Sequence, residues 1–357
     1  MEYYMHVCHL IPDNKLIYHN KNKQVYCKYL TIMNEISNIE IWDIIRYFRI
    51  IVAYLENIQH NLLEKIHNSS ASKITRIAFL GPKGSFSYLA ACNYASRLCK
   101  KIVEVSCIKF RDIINKVENQ QAEYAILPLE NSTSGSINDV YDLLPYTKLS
   151  IVNEIILPID HCILVSTKTD LQKIKTIYSH VQPFQQCSNF INSFPHWNIK
   201  YTQSTAAAMQ TVSLLNSPQV AALGSEVGGK IYNLQVVARN LANECRNITR
   251  FIVLARKPIK VDEHIPAKTT IMIVTKPRQG ALLDALLILH QNNLAMSKLE
   301  SRPIPGNPWE EIFFIDIKHN LNSEDMKQAI KELKLMSSLI KVLGCYPAEM
   351  VVTIHKE

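Results

Sequence analysis

The sequence predicts a multidomain chain of mixed α/β and α+β class: a helical N-terminal region, a two-lobed α/β domain and a C-terminal α+β unit. Three observations carry this expectation. All nine glycines lie at or beyond Gly81 and fourteen of the fifteen prolines lie beyond residue 80, so the first 80 residues differ in kind from the rest. From Arg76 onwards, short apolar runs alternate with polar turns and helix-period segments, the pattern of strands linked by helices. After "RKPIKVDEHIP" the order changes to strand, helix, strand, strand, helix, strand.

Taken in order, the apolar residues from Ile39 to Ile66 recur at three- and four-residue spacing, among them Ile41, Ile44, Ile45, Phe48, Ile51 and Val52. No Gly or Pro interrupts them, which predicts one long amphipathic helix over 39–66. "HNSSASKIT" reads as the linker after it. "RIAFLG" then leads through "PKGSFS" into "YLAACNYASRLC", and "EYAILPLE" leads through "NSTSGS" into "INDVYDLL". "KTIYSH" precedes "PFQQCSNFINSF", "KYTQS" precedes "TAAAMQTVSLL", and "QVAALGS" precedes "EVGGKIYNL". These pairs predict largely parallel sheets, with "IVNEIILPIDHCILVS" as crossover strands between two lobes. In "NITRFIVLA" a buried strand over Phe251–Leu254 has Thr249 and Arg250 at its mouth. The final unit comprises "AKTTIMIVTK", "ALLDALLILHQNN", "AMSKLESRPI", "EEIFFIDIKH", "SEDMKQAIKELKLMS" and "IKVLGCYP", a ferredoxin-like split arrangement.

Composition narrows the function classes. A chain of 357 residues with 47% hydrophobic and 20% charged residues is of ordinary soluble make-up and long enough for two or three cores. The apolar run "IIRYFRIIVAYL" is broken by Arg46 and Arg49 and is too short to span a bilayer, so no membrane partner is expected. No secretory signal pattern is visible, and nine cysteines without a C-x-x-C pair argue against a disulfide framework or zinc site. The expected location is cytoplasmic. The net charge of +8 is scattered, which suits a solvated surface and anionic small molecules better than nucleic acid.

The polar turns before the helices of the middle domain have an ordinary explanation, since Ser, Thr and Asn cap helices in any protein. Several together at the carboxyl edges of the sheets also gather helix N-termini into an anion-binding cleft. "NSTSGS" is the richest, with hydroxyls on Ser132, Thr133, Ser134 and Ser136, and Gly135 to let backbone approach a ligand. No phosphate loop, dinucleotide fingerprint, metal cluster or nucleophile elbow is present in the sequence, so a cofactor-free site for a small polyanion is expected.

In series, the stretches "RIAFLGPKGSFS", "LPLENSTSGSINDVYDLL", "DHCILVS", "PFQQCS", "STAAAM", "AALGSEVGG", "NITRFIVLARK", "ESRPI" and "KVLGCYP" closely resemble the dehydratase and regulatory parts of the bifunctional chorismate mutase–prephenate dehydratases of phenylalanine biosynthesis. The resemblance runs from about Lys73 to the C-terminus; Val181 departs from it where the family usually has Pro. It implies a helical mutase-like region over 1–68, a dehydratase domain over 76–256 resembling a two-lobed periplasmic binding protein, and an ACT regulatory domain over 268–348. The family's Thr-Arg-Phe motif falls on Thr249, Arg250 and Phe251, making Thr249 the catalytic residue that assists departure of the ring hydroxyl of prephenate, while Phe251 reads as core packing. Asn131, Ser132, Thr133, Ser134, Gly135, Ser204 and Thr205 are the expected substrate-binding residues. Arg250 either binds a substrate carboxylate or pairs with an acid such as Glu130. Glu130, His180 and Gln186 line the cleft or serve as structural hydrogen-bonders.

In the last unit the resemblance assigns phenylalanine binding to Gly280, Ala281, Leu282, Leu283, Glu300, Ser301, Arg302 and Pro303. Such domains usually bind their amino acid between two subunits, so a homodimer or higher homo-oligomer is expected. In the N-terminal region Gln59 falls on the family's mutase glutamine, but Leu55 replaces a serine and collinear counting places His19, Asn22 and Lys23 where an acid, an arginine and a glutamate belong. Chorismate is therefore a further candidate substrate, with weak or no turnover expected. A reading of another class is a non-catalytic sensor of small anions or amino acids.

Overall fold

The computed structural model describes residues 74–244 and 246–349; the helix expected over 39–66, with Gln59 on it, lies outside the described residues. In chain order the first elements are β1 (Ile74–Leu80), α1 (Phe86–Arg97), β2 (Lys101–Cys107), α2 (Phe110–Glu118), β3 (Tyr124–Asn131), β4 (Gly135–Ser136), α3 (Asn138–Tyr141) and β5 (Ser150–Pro158). A second run holds β6 (Cys162–Val165), β7 (Thr176–Ser179), α4 (Val181–Gln186), α5 (Ser188–Asn192), β8 (Asn198–Tyr201), α6 (Thr205–Leu215), β9 (Val220–Gly224), α7 (Glu226–Ile231) and β10 (Gln235–Ala238). Then come β11 (Ile248–Ala255), β12 (Ala267–Thr275), α8 (Ala281–Gln291), β13 (Met296–Pro303), β14 (Glu311–Ile317), α9 (Glu324–Met336) and β15 (Ser337–Pro347).

Three sheets result. The first has the order β2-β1-β3-β11-β5 with β4 paired to β3; the second, β10-β6-β9-β7-β8; the third, β13-β14-β12-β15. The second sheet is an insertion between β5 and β11, which lie side by side in the first. Two connections join the lobes, over 159–161 and 239–247. The expectation of largely parallel sheets needs correction. The pairs β1/β2, β1/β3, β7/β8 and β7/β9 are parallel, but β11 runs antiparallel to both β3 and β5, and β6 antiparallel to β9 and β10. The reason is topological: strands entered directly from a crossover need no covering helix and are free to pair antiparallel.

Serine caps set the helix starts as the sequence suggests. Ser85, Ser204, Ser225 and Ser323 accept hydrogen bonds from the N–H of Tyr88, Ala207, Gly228 and Met326. Two elements, β2 and α2, are additions to the expected ones, although Phe110, Ile113, Ile114 and Val117 give α2 a helix-period apolar face. β2 is an edge strand, mostly exposed along its length, with Val103, Val105 and Cys107 alternating on one face. "INDVYDLL" reads as a helix in sequence, yet α3 is a single turn.

β11 is buried almost throughout, at the centre of the first sheet's antiparallel half. α1 packs on one face of that sheet, and α2, α3 and the third sheet cover the other. Met272, Phe314, Leu343 and Tyr346 of the third sheet share one core with Leu127 and Ile252 of the first and Tyr141 of α3. β15 lies so close to β5 that a Cβ at Gly344 would collide with the Ile151 backbone, so glycine is required there for space.

Candidate active site

The mouth of β11 is paired with the end of β3, and the register sets Thr249 opposite Asn131. Asn131 organises both the adjoining turn and the strand end. Its Oδ1 accepts from the N–H of Thr133 (2.9 Å) and Ser134 (3.0 Å) and from Ser134 Oγ (3.1 Å), which folds "NSTSGS" into a tight turn. Its Nδ2 donates to Asn247 Oδ1 at 2.7 Å and to Thr249 Oγ1 at 3.0 Å, with Ile248 O at 3.2 Å. Asn247 Nδ2 donates to Gln186 Oε1 at 2.9 Å, and the same oxygen stands 2.9 Å from His161 Nε2. Thr249 therefore sits at the end of a row of amides that begins at a buried histidine.

Ser132 is tied to the same strand. Its hydroxyl donates to Arg246 O and accepts from Ile248 N–H, both at 2.9 Å, so its one hydrogen is committed within the protein. Gly135 adopts φ +81, and a Cβ there would meet nothing within 4 Å; the left-handed backbone, and no crowding, calls for glycine. Ser132 and Thr133 line a cavity of about 540 Å³ together with Asn243, Glu244 and Arg246. Ser204 and His180 both cap helices of the second lobe, His180 Nδ1 accepting from Gln182 N–H at 3.4 Å, and Thr205 opens α6 behind its cap. These three residues, and Thr249 with them, lie outside the lining of that cavity.

Arg250, one residue on, has a different environment. It is 6% exposed. Its Nε donates to Glu154 at 2.7 Å, one terminal nitrogen donates to Glu130 at 3.0 Å and Asp316 at 2.5 Å, and the other donates to the Tyr346 hydroxyl at 2.9 Å. Of the two roles open to Arg250, the structure contains the pairing with acids, and the guanidinium is enclosed by protein where a substrate carboxylate would have to be. Thr270 Oγ1 bonds both Asp316 (2.6 Å) and the Tyr346 hydroxyl (2.8 Å), while Lys268 Nζ lies 2.7 Å from Glu154. Burial alone would push Arg250 towards neutrality, but Tyr346, Asp316, Glu154 and Glu130 outweigh it and hold the charge. Glu130 shows the same balance from the other side: burial raises its pKa, and Arg250 with Lys298 brings it below the usual carboxylate value.

The phenylalanine-binding set is divided by the period of β13. Lys298, Glu300 and Arg302 share one face, which meets the first lobe. Lys298 bridges Glu130 at 3.0 Å and Glu300 at 3.2 Å, and Ser136 Oγ donates to Glu300 at 2.5 Å. Arg302 makes a bidentate pair with Asp142 at 2.7 and 2.8 Å. Ser301 and Pro303 are exposed on the opposite side, and Gly280, at φ +76, precedes α8, where Ala281 is buried, Leu282 half-buried and Leu283 exposed. Sequence reasoning missed Asn247, His161, Glu154, Asp316, Tyr346 and Arg246. Asn247 and His161 lie inside quoted motifs, "NITRF" and "DHCILVS", so a question about each polar residue of those motifs would have found them. Glu154, Asp316 and Tyr346 sit in apolar strands far apart in the chain and gave no local signal.

Comparison with known proteins bears on the family. A family profile described as prephenate dehydratase matches residues 77–259. A bifunctional chorismate mutase/prephenate dehydratase of Enterobacter agglomerans is 60% identical over 323 residues, 90% of this chain and 84% of that protein. Among solved structures, a prephenate dehydratase from Arthrobacter aurescens in complex with L-Phe superposes with a TM-score of 0.69 at 24% identity, covering 78% of this chain and 93% of that one. A quorum-quenching acylase, GqqA, gives a TM-score of 0.69 at 28% identity, covering 77% and 98%.

One consequence of the site is a pH dependence of stability. His161 is 1% exposed, and burial lowers its pKa despite the Gln186 hydrogen bond and the nearby Asp160 carboxylate, which act the other way. Below the unfolded imidazole value of about 6.5 the unfolded chain takes up a proton that folded His161 refuses, so stability falls as pH drops through that window. His180, lowered by burial as well, adds to the slope. Urea unfolding midpoints measured from pH 7.5 down to 5 should show a decline that is shallower in His161→Gln; an unchanged slope would mean His161 titrates normally.

Proposed function

We propose, because this chain belongs to the family of bifunctional chorismate mutase/prephenate dehydratases, that the cleft beside Thr249 converts prephenate to phenylpyruvate, water and carbon dioxide. The bond from Asn131 Nδ2 to Thr249 Oγ1 carries the mechanistic reading. It occupies a lone pair of the threonine oxygen and leaves the hydroxyl hydrogen to be donated. As the ring C–O bond breaks with its electron pair on oxygen, that hydrogen stabilises the departing hydroxide, which takes up one proton from solvent to leave as water. The ring–carboxylate bond breaks with it, releasing carbon dioxide, and its electron pair completes the aromatic ring. Threonine is too weak an acid to drive this alone, so orientation and fixed dipoles supply much of the rate and aromatisation the driving force.

An acyl-transfer reading would need Thr249 as a nucleophile with a base to take its proton. The group bonded to its oxygen among the described residues is instead an amide donor, which favours the donor role. With Arg250 enclosed, Arg246, which shares the cavity lining with Thr133 and Glu244, is the better-placed cation for a substrate carboxylate. The helix N-termini behind Ser204 and His180 suit the other carboxylate.

The C-terminal sheet unit reads as an ACT domain that binds phenylalanine and lowers turnover, acting in a homodimer or larger oligomer. Since Glu300 and Arg302 are engaged by the first lobe, ligand contact falls to Ser301, Pro303 and the turn from Gly280 through Leu283. An effector shifts activity only if it binds two states unequally, and a β13 strand bonded to the "NSTSGS" turn supplies a physical link between them. The mutase activity named for the relatives is expected to be weak here, because Gln59 offers one hydrogen bond and cannot clamp two carboxylates.

Four measurements test these readings. Purified protein should convert prephenate to phenylpyruvate, read by absorbance in alkali; Thr249→Val should lose at least ~100-fold in kcat, and Thr249→Ser should keep part of it. Near-normal turnover by the valine variant would reduce Thr249 to a strand residue. Arg246→Gln should raise KM about tenfold with little change in kcat, and Glu244→Gln should not raise it; equal effects in both would remove Arg246 from the substrate site. Ser301→Asp should relieve phenylalanine inhibition and spare basal rate, and unaltered calorimetric binding would exclude Ser301. Finally, chorismate disappearance should be slow; brisk turnover abolished by Gln59→Ala would show a working mutase.

A further inference from the structure

His161 stands in the first connection between the lobes, and Asn247 in the second. A backbone bond from Ile159 N–H to Asn247 O, 2.8 Å, ties the two connections together. Gln186 approaches from α4 of the second lobe and Asn131 from β3 of the first. The row His161–Gln186–Asn247–Asn131–Thr249 thus crosses the junction of the lobes and ends on the hydroxyl that the dehydration uses.

Each bond in the row has a direction. Gln186 Oε1 accepts from Asn247 Nδ2, and since a carbonyl oxygen only accepts, His161 must meet it as an Nε2–H donor. Burial favours the neutral imidazole, which leaves Nδ1 bare, and that nitrogen is buried without a hydrogen-bond partner. An orphaned buried nitrogen is a cost that ordinary packing does not explain. Holding one donor against Gln186 does explain it. Without that donor the Gln186 amide is free to turn its NH₂ towards Asn247, whose own NH₂ must then turn away and face Asn131. Asn131 cannot reverse in response, because two backbone N–H groups grip its oxygen. Two donors are left opposed, and the amide that bonds Thr249 is displaced.

We propose that His161 is a positioning residue for the reaction, acting through Gln186, Asn247 and Asn131 to set the direction of the Thr249 hydroxyl. It touches neither substrate nor reacting atoms. The proposal rests on Thr249 being the donor in prephenate dehydration.

The test compares His161→Leu, which removes the donor, with His161→Gln, which restores one at similar reach. His161→Leu should lower kcat about tenfold, the rate equivalent of one net hydrogen bond, with KM within about twofold. His161→Gln should recover most of the loss. Should the leucine variant fail to fold, Gln186→Leu at a half-buried position breaks the same row and should show the same kcat-only effect. Nitrogen NMR of the imidazole should find the Nε2–H tautomer in the wild type. A folded His161→Leu or Gln186→Leu with wild-type kcat would overturn the proposal while leaving the dehydratase reading intact, as would an Nδ1–H tautomer. Failure of the wild type itself to consume prephenate would overturn both.

Discussion

A guanidinium in a protein interior is tolerable only where its charge is matched and its donors are satisfied, and much of this fold is arranged to meet that condition at Arg250. The four bonds it makes come from three sources: Glu130 at the end of β3, Glu154 in the middle of β5, and Asp316 with Tyr346 in the third sheet. Each source is in a different strand, so the cluster forms only when the first lobe and the C-terminal sheet are docked in one register. Removing Arg250 would leave buried Asp316 without its cation, a loss of about 3–5 kcal/mol for such a pair, whereas removing one acid leaves Arg250 still paired with the others. The cluster need not make the protein more stable than an apolar contact would. Its consequence is positional: it pins β11, and Thr249 is the neighbouring residue on β11.

Alternation along a strand gives the two neighbours separate tasks. Thr249 turns towards Asn131 and the cleft, and Arg250 turns towards the acids beneath the sheet. The Thr249 hydroxyl is thereby set from two sides. The ion cluster holds its backbone, and the amide row through Asn131 sets its hydrogen. The row also crosses both connections between lobes, so the surroundings of the Thr249 hydroxyl depend on how those connections are packed.

The same period acts in β13. A strand whose alternate residues are Lys298, Glu300 and Arg302 presents a charged face, and here that face is satisfied by Glu130, Ser136 and Asp142 of the first lobe. Ser136 belongs to the turn that Asn131 shapes. A ligand on the opposite face of β13 would therefore disturb residues one bond from the active-site turn without any long chain of intermediates. That is a short physical route for coupling two sites, and the two discrete arrangements it would switch between are what regulation requires.

The sequence by itself determined the class of the protein and most of its elements. Helix caps, glycine and proline placement and short apolar strands are local signals, and they located the α/β domain, the β-α-β-β-α-β unit and the polar turns. The series of motifs pointed to the family and to Thr249. What the sequence could not decide was partnership. Whether Arg250 faced substrate or acid depended on Glu154 and Asp316, which are 96 and 66 residues away and lie in strands with no charge pattern to betray them. The strand directions around β11, the division of Glu300 and Arg302 from Ser301, and the contact of His161 with Gln186 turned on the same kind of fact. Buried polar groups must find partners, and which partners they find is settled by the packing of distant strands, a property of the tertiary structure that no local stretch of sequence contains.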